Sequence, residues 1–223
     1  MNVLQIPEKD LKDMNIYCWQ VLLNHFNKEH SITVPVLSQQ YIAYPVFITI
    51  QDISNNIPKL RGCIGTFEKN ENKNIFEHLK MYTLKTILED TRFSEDEKIK
   101  ENEIENLELS ISLLGDDIKM DSEKDWEIGV HGIKFNYNQY ISIYLPEVAV
   151  EQNWTKQETI ESLIEKSGFF GEYNKEKMNL LKYETAKHKL KYAEFLNEEK
   201  RKMSYDDIAR ILTYFGIGLS III

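Results

Sequence analysis

Residues Leu60-Arg61-Gly62-Cys63-Ile64-Gly65-Thr66-Phe67 decide how the rest of the chain is read. Two glycines three apart flank a cysteine, an arginine precedes the first glycine, and apolar residues close both ends. In an extended segment each glycine gives up a packing side chain and costs backbone entropy. Glycine there marks a bulge or a close approach of another group to the backbone. Just upstream, Val46-Phe47-Ile48-Thr49-Ile50 has the β-branched and aromatic content of a strand. The intervening residues carry Ser54-Asn55-Asn56 and Pro58, which is turn chemistry, so the two runs form a hairpin. In a regular second strand Arg61, Cys63 and Gly65 share one face, and Leu60, Gly62, Ile64 and Thr66 share the other. An arginine on the same face as a cysteine lowers the thiol pKa. The alternative is a packed cysteine with an arginine paired to an acid.

Working outward, 14–25 carries Ile16, Tyr17, Trp19, Leu22 and Leu23 at helical spacing, with Cys18 inside the apolar stripe as a packed thiol. Residues 31–45 and 68–74 read as loops. Residues 75–91 read as a helix running into Asp90-Thr91-Arg92-Phe93, where an arginine suits the helix dipole or binds an anion through paired donors. Ser94-Glu95-Asp96-Glu97 is a capping start. Leu107 to Leu114 alternates strictly and is a strand. The acidic stretch 115–125 lacks calcium-loop spacing. In Trp126-Glu127-Ile128-Gly129-Val130-His131-Gly132-Ile133 two glycines bracket a histidine, a residue suited to general acid or base work and equally to a structural hydrogen bond. Residues 134–144 read as strand, turn at 136–138, and strand. Pro146 and Glu147 suit a helix first turn, and Glu147 and Glu151 share a face. Thr155-Lys156-Gln157-Glu158 is a capping box. Residues 180–202 are helical or extended, and the apolar end from Ile211 is short of the roughly 20 residues a bilayer needs.

Composition excludes several classes. The chain has 223 residues and a formal net charge of −9, which argues against binding nucleic acid through backbone electrostatics. Cys18 and Cys63 stand in dissimilar contexts, so no disulfide framework is expected and a reducing compartment is. The first residues hold no apolar signal core. Together these point to the cytoplasm, with the nucleus as a second address, and to no membrane association. No dense Cys/His spacing is present, so no metal and no cofactor are expected.

With these motifs in order, the chain resembles the AMMECR family. The carriers are Leu60 to Phe67, Asp90-Thr91-Arg92-Phe93, Leu109-Ser110-Ile111-Ser112-Leu113-Leu114, Asp125 to Ile133, and Leu145-Pro146-Glu147-Val148-Ala149-Val150-Glu151-Gln152. The resemblance spans 14–198, after an N-terminal extension of 1–13 and before a divergent tail of 199–223. Asn153 stands where the family usually has glycine, Thr83 and Ile87 are bulkier than its usual residues, and Ile75-Phe76 lacks its usual glycine. The resemblance implies an α+β fold: a barrel-like, largely antiparallel sheet flanked by helices, with a smaller packed subdomain. It also implies that the glycine-rich motif lies by a cleft. In microbes family members stand beside, or fused to, Memo-type domains and radical-SAM proteins, which implies a shared pathway and a Memo-type protein partner.

Two functions from different classes follow. In the first, an enzyme acts on a small anionic ligand: Cys63 is the nucleophile or a ligand contact, His131 or Glu147 moves a proton, and Arg61, Gly62, Gly65, Asp90 and Arg92 hold the substrate. In the second, the motif is a rigid part of the hairpin, and the protein is a non-catalytic adaptor for a protein partner.

Overall fold

The computed structural model describes residues 5–171 and 179–202. Helix α1, Glu8–Phe26, starts before the expected Met14 because Glu8 and Asp10 suit the positive end of its dipole. Its Met14, Cys18, Trp19 and Leu22 are fully buried. Asp10 is buried as well, and its carboxylate accepts hydrogen bonds from the Ser38 N–H and hydroxyl and from the Tyr41 hydroxyl, which ties the following loop to the helix.

Strands β1 (Ile42–Ala43), β2 (Val46–Asp52), β3 (Lys59–Thr66) and β4 (Asn70–Asn74) follow, then α2 (Ile75–Leu88). The expected hairpin is β2–β3, antiparallel. The loops expected at 31–45 and 68–74 need correction, because β1 and β4 pair within them as a two-stranded ribbon. The residues Asn70-Glu71-Asn72-Lys73-Asn74 have little strand propensity, and tertiary pairing overrides it. Asn74 then caps α2 by accepting the Phe76 N–H. The helix stops at Leu88, so Arg92 lies beyond its last turn.

Short 3₁₀ turns at Glu95–Glu97 and Glu101–Asn106 lead to β5 (Leu107–Leu114), with the expected bounds. Strand β6 (Ile118–Lys119), hairpin β7–β8 (His131–Tyr137, Tyr140–Tyr144), α3 (Pro146–Glu151) and α4 (Lys156–Lys166) complete the middle of the chain. The β7–β8 turn falls at 138–139, later than expected, because Asn138 takes the left-handed conformation (φ 54°) that asparagine tolerates. Asn153, also at φ 54°, occupies a position where glycine is strain-free. The capping box at Thr155 forms as expected, with Glu158 accepting the Thr155 N–H and Thr155 accepting the Glu158 N–H. The remaining segment, ambiguous in sequence, is β9 (Asn179–Lys191) followed by helix α5 over 192–202. The apolar end from Ile211 lies outside the described residues.

The main sheet is antiparallel, in the order β3-β2-β5-β9-β7-β8, with β6 beside β9. It is a curled half-barrel flanked by helices. The long β9 spans both halves. Its C-terminal part pairs with β5, and its N-terminal part pairs with β7. Two main cores result. Helices α1 and α2 cover Ile48, Ile50, Leu109, Ile111 and Leu113. The smaller core gathers Trp126, Ile133, Phe135, Ala149, Ile160, Leu163 and Leu180. A third cluster of Leu114, Ile143 and Tyr183 packs with Phe47 and Leu145. No helix of the described residues is long and apolar enough to cross a membrane.

Candidate functional site

The site is built on β3, an edge strand, whose outward backbone groups need partners. Cys63 donates its N–H to Asp90 Oδ2 at 2.8 Å, and its carbonyl accepts from Arg92 Nη2 at 2.9 Å. Asp90 and Arg92 are joined by two further bonds, Nε to Oδ1 at 2.9 Å and Nη2 to Oδ2 at 2.6 Å. The Asp-x-Arg turn after α2 is therefore a latch that grips both polar groups of one peptide residue. Asp90 is buried, while the Arg92 side chain is 54% exposed. The Arg92 guanidinium, reinforced by the Cys63 N–H and opposed by burial, holds the Asp90 carboxyl below the usual carboxylate range. Asp90 in turn raises the pKa of Arg92.

Arg61 does not behave as a regular strand predicts. Ile50 opposes Gly62 and Gln51 opposes Leu60, so Arg61 is the extra residue of a bulge. The shared face expected for Arg61 and Cys63 needs correction, because strict alternation does not run through Arg61. Its guanidinium donates to Glu103 Oε1 at 2.7 Å, and both Arg61 and Arg92 lie 6.0 Å from the Phe93 ring. The glycines are explained by packing. A Cβ on Gly62 would lie 2.7 Å from the Thr86 carbonyl of α2, and one on Gly65 would lie 2.5 Å from the Phe47 ring and overlap the Val46 carbonyl. Both mark close approaches, as their presence in a strand suggested.

Cys63 is partly exposed as a residue, and its thiol lies 3.2 Å from the Thr49 hydroxyl. Directly opposed residues of antiparallel strands present side chains to the same side. The pairing therefore puts Cys63, Thr49, Ser110 and Lys189 in one row, and Gly65, Phe47, Ser112 and Lys187 in the next. Glu147 reaches that face from α3 through an ion pair with Lys187. Lys187 lies three strand spacings, about 14 Å, from β3. His131 opposes Glu184 on β9, one step out of phase with Lys187 and Lys189, so it faces the other side of the sheet. Its Nδ1 accepts the Glu127 N–H at 3.0 Å, which places the proton of the neutral ring on Nε2.

The structure thus brings Arg61, Gly62, Cys63, Asp90 and Arg92 together, leaves Glu147 at the far side of the same face, and separates His131 from Cys63. Sequence reasoning missed Thr49, Thr86, Phe93, Glu103 and Lys187. Thr49 was within reach, since it lies in a strand already assigned and register would pair it with Cys63. Glu103 carries no such signal, 42 residues from its partner. Among the described residues, no group of three or more His, Cys, Asp or Glu is placed to hold a metal ion.

Comparison with known proteins adds ancestry. The AMMECR1 family model matches residues 16–188. An uncharacterized protein of Arabidopsis thaliana is 33% identical over 199 residues, covering 85% of this chain and 89% of that protein. An uncharacterized protein of Schizosaccharomyces pombe is 32% identical over 195 residues, covering 84% and 96%. Among solved structures, that of an uncharacterized protein from Pyrococcus horikoshii superposes with a TM-score of 0.65 at 18% identity, over 82% of this chain and 93% of that one. At that identity the likeness speaks for the fold.

Proposed function

The chain belongs to the AMMECR1 family, and from that premise we propose that it is a binding module, with the Cys63 segment as a rigid frame. The observation that carries this reading is the latch. The charges expected to hold an anionic substrate are committed within the protein: Arg92 to Asp90 and the Cys63 carbonyl, and Arg61 to Glu103. A small anion would have to displace the carboxylate of Asp90, which is buried in a bidentate pair. A Memo-type protein is the partner class that the family resemblance suggests.

The test is a calorimetric titration of the purified chain into a Memo-type protein. Saturable binding that survives Cys63→Ser is the expected result, and loss of binding in that variant would mean that the thiol itself is at work.

One observation favours an enzyme acting on a small anionic substrate. Cys63 is partly exposed as a residue, and its thiol touches the Thr49 hydroxyl. Alkylation of Cys63 faster than that of free cysteine at neutral pH, slowed by an added metabolite, would move the assignment to this reading.

A further inference from the structure

The turn after the latch carries an unused feature. Ser94 is followed by Glu95, Asp96 and Glu97, and all four residues are exposed. Among the described residues, Ser94 is the hydroxyl residue followed by three consecutive acids. Ser122 has an acid three residues on, but Lys124 interrupts the run; Asp125 there pairs with Lys182, as Glu95 here pairs with Lys98. The Ser94 hydroxyl donates to Glu97 Oε2 at 2.8 Å, closing a 3₁₀ turn that buries none of its residues. A turn held by local bonds over no buried surface opens at little cost, as entry into a kinase groove requires.

The neighbourhood supplies receptors for a phosphate. Phe93, the preceding residue, has the guanidinium groups of Arg61 and Arg92 each 6.0 Å from its ring centre. Arg61 is 11% exposed and closed by Glu103, while Arg92 is 54% exposed. A phosphate on Ser94 adds nearly two negative charges beside three acids, loses its bond to Glu97 and is repelled by it. Lys59 and Arg61 act on Glu97 across the turn and Lys98 pairs with Glu95, while the half-exposed cation nearest to Ser94 in sequence is Arg92, the arm of the latch on Cys63.

We propose that Ser94 is a phosphorylation site for an acid-directed serine kinase, and that its phosphate competes with Asp90 for Arg92 and loosens the grip on the Cys63 peptide. In the reaction the Ser94 Oγ attacks the γ-phosphorus of ATP bound to the kinase. The new Oγ–P bond replaces the bond to the bridging oxygen, ADP leaves, and the hydroxyl proton passes to the catalytic base of the kinase. The proposal is independent of whether the module binds a protein or a small molecule.

The experiment treats the full chain with casein kinase 2 and ATP, maps phosphate by mass spectrometry, and follows amide hydrogen exchange before and after. One phosphate on Ser94, absent in Ser94→Ala, is expected. With it comes a severalfold faster exchange at the Cys63 amide, reversed by phosphatase, with β5 amides unchanged as the sign of an intact fold. Failure to modify Ser94 overturns the site. Modification that leaves Cys63 exchange unchanged, or that releases β5 as well, overturns the coupling to the latch.

Discussion

The stretches 62–65 and 129–132 look alike in sequence, each a reactive residue between two glycines, yet different forces hold them. Around Cys63 both glycines are places where backbone or rings of neighbouring elements come too close for a Cβ. The residue between them is gripped from outside by an ion pair 27 residues away in the chain. Around His131 the glycines divide the work. Gly132 lies against the buried Tyr183 ring, while Gly129 sits at φ +80° in a turn, where the requirement is conformational. His131 is held locally, by the N–H and carbonyl of Glu127. The same glycine-x-x-glycine spacing therefore reports a long-range latch in one place and, in the other, a local turn that leads into a close approach to β9.

The contrast can be broken by substitution. Gly65→Ala meets the Val46 carbonyl and the Phe47 ring, and Gly132→Ala meets Tyr183. Each should cost about 3 kcal/mol in urea unfolding, whereas Gly129→Ala, with mainly the left-handed backbone penalty, should cost about 1–2 kcal/mol. Equal losses at all three would erase the distinction between packing and conformational glycines.

Next comes the latch. Asp90→Asn should lose about 2 kcal/mol, less than a fully buried pair because Arg92 can return to water. The sign with pH follows from the depressed carboxyl. Its folded pKa lies below the ordinary 3.8, so the stabilisation is present above that value and disappears as pH falls through the folded pKa. Wild type should lose its advantage over Asp90→Asn in acid unfolding below pH 3.8. An advantage that persists unchanged there would place the stabilisation elsewhere.

Thiol chemistry sharpens the comparison further. Cys18 is fully buried, and burial pushes its thiol up to about 12, whereas Cys63 is partly exposed. A disulfide reagent at neutral pH should titrate Cys63 in the folded protein and both thiols in denaturant. Reaction of Cys18 without unfolding would contradict the packing around α1. The smallest effects belong to the bracketed residues themselves. Cys63→Ser and His131→Gln should each shift stability by under about 1 kcal/mol, since the glycines and the latch do the holding.

Much of this was readable from residue order. The alternation of Leu107 to Leu114, the Thr155 capping box and the β2–β3 hairpin all rest on interactions within a few residues, where spacing is a sufficient guide. The ribbon strand Asn70–Asn74 was not readable, because its pairing with Ile42–Ala43 overrides weak local propensity.

What the sequence determined by itself is the family, most of the helices and longer strands, and Gly62 and Gly65 as marks of a bulge or a close approach. Only the tertiary structure decided that the bulge takes Arg61 out of regular alternation, that Glu103 and Asp90 engage the two arginines, and that His131 faces away from Cys63. The physical reason is range. Alternation within a strand is set by the pleat, but the face on which a residue finally stands depends on the register and bulges of every strand between it and its neighbour.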